Sequence, residues 1–191
     1  MTTPPNRGRW HLVAIVDGLA LAWFVTITVA CRLALPDIAL FRCPIGLCLG
    51  GYEPAELRSV LTAIGADGRG FLAHTLLPLD TVMPVLVTVA LMLTIAWLTR
   101  PAPSQPIRID QRLRLALVCV PLLYGFADYA ENWQITRVLH AYPDIPDAMA
   151  RTASRLTAAK SQMLVASIGI VLAFAAARWW WREPQRVESN C

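Results

Sequence analysis

Four long apolar stretches are the feature that most limits what this chain can fold into. They cover about 11–33, 76–99, 112–134 and 157–181, in a chain of 191 residues that is 56% hydrophobic and 16% charged. A helix of about 20 apolar residues crosses the hydrocarbon core of a bilayer, and ordinary soluble domains are less apolar than this. The sequence therefore predicts an all-α membrane protein, a single transmembrane domain over residues 1–191 built as a four-helix bundle.

The first stretch lies where a secretory signal peptide would lie. Its apolar part is too long for the core of such a peptide, it contains Asp17, and its end, C-R-L-A-L-P, lacks a small-x-small cleavage site. We therefore interpret it as a retained span. A carboxylate inside a membrane needs a partner or water, and we expect Arg112 or Arg114, at the start of the third span, to pair with Asp17.

The distribution of charged residues predicts what the bundle binds and how it is oriented in the membrane. The formal net charge of +4 comes from arginines at the ends of spans rather than from a basic cluster with aromatics on a soluble segment, so nucleic acid is not an expected partner. Basic residues are nearly equal in number on the two sides, but those on the side of the termini crowd the span ends in short segments. This pattern favours both termini in the cytoplasm.

Cysteine spacing adds a further expectation. Cys43 and Cys48 lie in the first outer loop and could form a small disulfide in an oxidising compartment. Two cysteines without a nearby histidine are a poor zinc site, and a quinone-coupled thiol oxidase would need a second redox pair. The sequence predicts no metal site, because its few histidines are not aligned, and it leaves any cofactor open.

The same loop contains a predicted amphipathic helix, E-P-A-E-L-R-S-V-L-T-A-I-G. Pro54 stands at its first turn and Gly65 at its C-cap, and its apolar side comprises Leu57, Val60, Leu61 and Ile64. We expect this short helix to lie on the outer surface as a lid. Asp67–Gly70 is predicted to be a turn, after which the second long helix begins near Phe71 and bends at Pro78 and Pro84.

Polar residues inside the spans are the best candidates for a site. Tyr124, Asp128, Glu131 and Asn132 share one face of the third helix, because residues three and four apart lie on the same side. With spans antiparallel in sequence order, Asp80 of the second helix and Lys160 of the fourth lie at the same depth near the outer face. The predicted catalytic set is Asp80, Asp128, Glu131 and Lys160, and the predicted ligand-binding set is Tyr124, Asn132, Arg69 and His74.

The predicted cluster has two physical interpretations. In the first, neighbouring carboxylates share protons or hold a cation and perform acid/base chemistry, with Lys160 as counter-charge. In the second, Lys160 neutralises the carboxylates and Asn132 bonds backbone that a proline has broken, so the polar layer only fixes the helix register. Nucleophilic catalysis by a Ser161–Lys160 dyad is disfavoured, because adjacent helical residues point about 100° apart.

The motifs L-P-L-D-T-V-M-P, P-L-L-Y-G-F-A-D-Y-A-E-N-W and R-L-T-A-A-K-S-Q-M, with the preceding loop helix, resemble a group of uncharacterised bacterial four-span integral membrane proteins. The likeness runs from Tyr52 to about Met163. It implies a shared pattern that comprises Gly65, Gly68, Arg69, Asp80, Asp128, Glu131, Asn132 and Lys160, and it implies no activity. Thr81–Met83 depart from the pattern, because bulkier aromatic side chains are expected there.

Two functions remain open from the sequence. The first is a multi-pass protein of the bacterial inner membrane whose outer-leaflet polar cavity binds or processes a lipid-phase or amphiphilic molecule. The second is a non-catalytic accessory or assembly subunit, with other membrane proteins or further copies of itself as partners. An ion-coupled transporter is less favoured, because four spans without internal repeats make alternating access difficult.

Overall fold

The computed structural model describes residues 7–35, 48–100 and 109–180, which form five helices and no strand. The helices are α1 (Arg7–Ala34), α2 (Pro54–Ala63), α3 (Gly65–Leu98), α4 (Gln111–Ala141) and α5 (Asp147–Trp180). All except α2 are long and apolar enough to cross a membrane. The predicted all-α fold with four membrane-spanning helices is therefore confirmed.

Three of the spanning helices form the centre of the bundle. α4 packs against both α3 and α5, α3 also contacts α5, and α1 packs against α3. The approach of α3 to α4 is close at Gly125, where a Cβ atom would lie 2.7 Å from the Thr88 hydroxyl oxygen. Small residues at such a crossing allow two membrane helices to approach within contact of their backbones.

Prolines interrupt α3 where the sequence predicts a bend. Thr81 and Val82 form a turn between two α-helical parts, and Pro84 has no N–H to donate to the carbonyl of Asp80 four residues earlier. The side-chain amide of Asn132 donates to that carbonyl at 3.5 Å, and the hydroxyl of Tyr129 donates to the Thr81 carbonyl at 2.8 Å. α4 therefore donates two hydrogen bonds to carbonyls at the break in α3, and the bond from Asn132 is the one that the structural interpretation of the cluster predicts.

The segment Cys48–Ile64, which we call the cap, covers the end of the bundle opposite the start of α1 and the end of α5. Its helix α2 is amphipathic, as predicted, and it buries Leu57, Val60 and Leu61 against the ends of α4 and α5. Gly65 follows it with a φ of +69°, a left-handed conformation that glycine adopts without a Cβ penalty. The cap therefore has an apolar core of its own, outside the apolar middle of the spans.

The predicted turn at Asp67–Gly70 is wrong. These residues are helical and belong to the first turns of α3, which begins at Gly65 rather than near Phe71. Gly68 is buried, and a Cβ atom on it would meet the side chains of Ile64 and Leu35. Tertiary packing thus outweighs the weak helix propensity of a glycine-rich segment.

The predicted partner of Asp17 is also wrong. The hydroxyl of Thr94, on α3, contacts the two carboxylate oxygens of Asp17 at 3.2 and 3.0 Å. Arg114 instead donates to the Thr99 hydroxyl and to the Ala96 carbonyl. Because α1 packs on α3, a neutral donor on that helix reaches Asp17. The predicted Cys43–Cys48 disulfide involves Cys43, which lies outside the described residues.

Candidate functional site

A buried polar stripe runs along α4 over two helical turns. Tyr124, Asp128 and Glu131 are buried on the face that α4 turns towards its neighbours, and their spacing places them one above the other. The hydroxyl of Tyr124 donates a hydrogen bond of 2.8 Å to Oδ2 of Asp128, four residues further on. This hydrogen bond within α4 therefore orients the Asp128 carboxylate without a contribution from another helix.

Lys160 of α5, the only lysine in the chain, joins the two carboxylates of this stripe. Its Nζ lies 3.1 Å from Oδ1 of Asp128 and directly contacts Oε2 of Glu131. The three side chains are 12%, 2% and 5% exposed, respectively, so water screens this pair of ionic contacts little. Thr157, one turn earlier on α5, donates a hydrogen bond to the other oxygen of Glu131.

Asp80 enters from the interrupted part of α3. Its carboxylate interacts electrostatically with Asp128, Glu131 and Lys160, and within residues 7–35, 48–100 and 109–180 it forms no ion pair. Three helices thus bring three carboxylates together around a single ammonium group. We call the set the polar cluster, and its members are Asp80, Asp128, Glu131, Asn132 and Lys160.

Sequence reasoning missed the segment of the cap that closes over this cluster. The backbone N–H groups of Cys48 and Tyr52 donate to the hydroxyls of Ser161 and Ser154 at 2.9 and 2.8 Å. The Gln162 side chain donates to the Leu49 carbonyl at 3.1 Å. The segment therefore runs along α5, and two serines seven residues apart on one face of that helix, Ser154 and Ser161, are the signal that could have indicated it.

Tyr52 is the member of the cap that reaches the polar cluster. Its side chain is buried, and its hydroxyl lies beside the hydroxyl of Thr157 on α5. Burial raises the pKa of Tyr52 to about 12, and the nearby Glu131 carboxylate acts in the same direction. Tyr52 is therefore a neutral phenol at physiological pH, with an O–H group next to Glu131 and Lys160.

Two of the predicted ligand-binding residues lie elsewhere. Arg69 donates to the Leu61 carbonyl at 2.7 Å and stacks over the ring of Tyr142 at 3.9 Å, so it holds the cap to the start of α3. His74 is exposed on the π-helical turn of α3. Neither forms a hydrogen bond or an ion pair with the polar cluster, whereas Tyr124 donates a hydrogen bond to Asp128 and Asn132 is a member of the cluster that donates to the Asp80 carbonyl.

The fold and the site define a multi-pass, all-α membrane protein with a polar cluster between its helices. No group of three or more histidine, cysteine or carboxylate side chains within the described ranges is arranged to hold a metal ion. Comparison of the chain with protein-family models, with curated proteins and with solved structures found no match.

Proposed function

We propose that this protein uses its polar cluster to bind a lipid-phase or amphiphilic molecule and to exchange protons with it. The proposed setting is the bacterial inner membrane, with both termini in the cytoplasm and the cap on the outer side. The observation that carries the proposal is the imbalance of charge, because three carboxylates surround one ammonium group in a largely buried site. Intramembrane ionisable groups are costly, and they usually mark functional sites.

The members of the cluster have different roles in this proposal. Lys160 contacts Asp128 and Glu131 directly, so these three groups form the fixed part of the site. Asp80 has only electrostatic interactions with them and lies beside the break in α3, where it is partly exposed. Asp80 is therefore the proposed acid/base group, and the fixed part tunes it, since neighbouring charges change how readily a carboxylate takes up a proton.

The competing proposal is a non-catalytic accessory or assembly subunit in which the polar layer is structural. The pairing of Asn132 with the broken backbone of α3 favours this role for Asn132 itself. It explains Asp80 less well, because this carboxylate interacts with the Asn132 side chain but lies near two further carboxylates and has no ion pair within the described part of the chain. The substitution of Asp80 therefore separates the two proposals.

The Asp80→Asn variant is expected to lose an amphiphile without losing stability. We expect its free energy of unfolding to stay within about 0.5 kcal/mol of the wild type or to rise, because the substitution relieves like-charge repulsion and breaks no ion pair. The wild type and the variant are reconstituted with a bacterial polar lipid extract and purified again. Mass spectrometry then identifies the retained lipids, and thermal unfolding in detergent gives the stability.

Asp17→Asn is the matched control, because it removes one intramembrane carboxylate that lies outside the cluster. A lipid species enriched on the wild type and on the Asp17 variant, but absent from the Asp80 variant, would support the proposal. Equal lipid on all three proteins, or a loss of about 2 kcal/mol or more in the Asp80 variant, would favour the structural role.

A further inference from the structure

A cleft of about 300 Å³ lies between the cap and the first turns of α5, and Tyr52, which interacts with the polar cluster, is one of its lining residues. Its walls are the segment Gly50–Glu53 on one side and Arg151, Ser154 and Arg155 of α5 on the other, with Glu56 at the rim. Gly51 has a φ of +73°, and a Cβ atom on it would lie 2.5 Å from the Ser154 hydroxyl oxygen. The backbone at Gly51 therefore approaches α5 as closely as only glycine allows, which shapes the floor of the cleft.

The cleft is lined by side chains of both charges. Arg151 and Arg155 lie one turn apart on α5 and are exposed, and Glu53 and Glu56 face them from the cap. Arg151 has a 3.6 Å contact with Asp147, an exposed pair of the kind that contributes little. Arg155 forms no ion pair within the described ranges. Two guanidinium groups and two carboxylates therefore line the cleft, and the carboxylates also form the capping box at the start of α2.

The depth of the cleft matches that of lipid head groups. Trp133 on α4 is 64% exposed, and exposed tryptophans mark the membrane interface. Glu131, two residues before it, is hydrogen-bonded to Thr157 of α5, so these residues lie at one level. Arg155 and Arg151 precede Thr157 by two and six residues, which is about 3 and 9 Å further from the membrane centre at the helical rise.

An exposed apolar side chain adjoins the cleft on the side nearer to Lys160 along α5. Leu49, which is 54% exposed, adjoins Gly50, and its carbonyl is held by Gln162, two residues beyond Lys160 on α5. An acyl chain could therefore pass over Leu49 while a polar head stays between the arginines and the glutamates. Tyr52 lines the cleft and also interacts with Glu131 and Lys160, so its ring separates the cleft from the polar cluster.

We infer that this cleft binds the zwitterionic head group of a phospholipid, with its phosphate on Arg151 and Arg155 and its ammonium group on Glu53 and Glu56. Guanidinium groups bind phosphate oxygens through charge-assisted hydrogen bonds, and carboxylates accept hydrogen bonds from a primary ammonium group. A head group with a net negative charge meets the same arginines but is repelled by the glutamates. This inference rests on the proposed function and adds that the bound amphiphile is a zwitterionic phospholipid.

The test compares the lipid retained by the full-length protein after exposure to equal amounts of phosphatidylethanolamine and phosphatidylglycerol. Native mass spectrometry is expected to show preferential retention of phosphatidylethanolamine by the wild type. Arg151→Gln with Arg155→Gln should lower its retention about tenfold or more, because a loss of 1.4 kcal/mol already has that effect. Glu53→Gln with Glu56→Gln should move the preference towards phosphatidylglycerol, and glutamine at position 56 can still complete the capping box of α2.

Arg112→Gln with Arg137→Gln is the matched control, because it removes the same charge from helix positions outside the cleft. A preference of the wild type for phosphatidylglycerol, or equal retention by the Arg151/Arg155 variant and the control, would overturn the inference. A separate arm supplies soluble phosphoethanolamine. Binding of this compound as tightly as the lipid would contradict a membrane source for the ligand.

The Asp80→Asn variant distinguishes a failure of this inference from a failure of the proposed function. If the Asp80 variant keeps phosphatidylethanolamine and the Arg151/Arg155 variant loses it, the cleft is supported and the binding role of the polar cluster is contradicted. If the Asp80 variant loses an amphiphile while the Arg151/Arg155 variant keeps phosphatidylethanolamine, the cleft is contradicted and the cluster is supported.

Discussion

Replacing Lys160 by methionine is expected to lower the free energy of unfolding by about 3–5 kcal/mol, the typical loss when one partner of a buried ion pair is removed. The substitution keeps a long apolar stem but leaves Asp128 and Glu131 buried without their counter-charge. Their remaining hydrogen bonds, from Tyr124 and Thr157, cannot compensate a negative charge of this size. Thermal and denaturant unfolding in detergent would measure the loss.

Arg112→Met is the control for this prediction. Arg112 also lies on a spanning helix, but it is exposed, so we expect a change within about 0.5 kcal/mol. A Lys160 variant as stable as the Arg112 variant would show that the ammonium group does not neutralise buried carboxylates.

Replacing Leu57 by alanine is expected to cost about 2–5 kcal/mol, because it leaves a cavity in a closed apolar core. Leu57 is 2% exposed and belongs to the core of the cap with Val60, Leu61 and Val138. Loosening the cap should also expose the cluster beneath it. Lys160, the only lysine, then becomes a reporter, since an amine-reactive label on it can be located and quantified by mass spectrometry.

Leu115→Ala provides the matched control on a surface that the fold leaves exposed. Leu115 lies on α4 and is 65% exposed, so its truncation should change stability by about 0.5 kcal/mol or less. We expect faster labelling of Lys160 in the Leu57 variant than in the Leu115 variant. Equal rates would mean that the cap does not shield the cluster.

The spans and most of the polar cluster could be predicted from the sequence because both follow from helical periodicity. Tyr124, Asp128 and Glu131 share a face by spacing alone, and antiparallel order places Lys160 at the same depth. Asp80 joins them for the same reason. These inferences need only the length and direction of each helix, which long apolar stretches determine well.

What the sequence did not predict depends on which helices are neighbours. Asp17 is bonded to Thr94 because α1 packs on α3, and no periodic pattern specifies that choice. Tyr52 reaches the cluster through serine hydroxyls on α5 that bind cap backbone, and such contacts have no charge signature. The sequence predicts a ligand-binding role for Arg69, but the Leu61 carbonyl of the cap and the ring of Tyr142, at the end of α4, occupy its guanidinium group.

The central claim is that Lys160 of α5 neutralises Asp128 and Glu131 of α4. A double-mutant cycle between these two sides of the contact tests it most directly. Lys160→Met is introduced into the wild type and into a protein that already carries Asp128→Asn and Glu131→Gln, and unfolding free energies are compared. Groups in one network are strongly non-additive. We predict a loss of about 3–5 kcal/mol in the wild type and of about 1 kcal/mol or less in the neutralised background. Equal losses in both backgrounds would contradict a shared polar cluster.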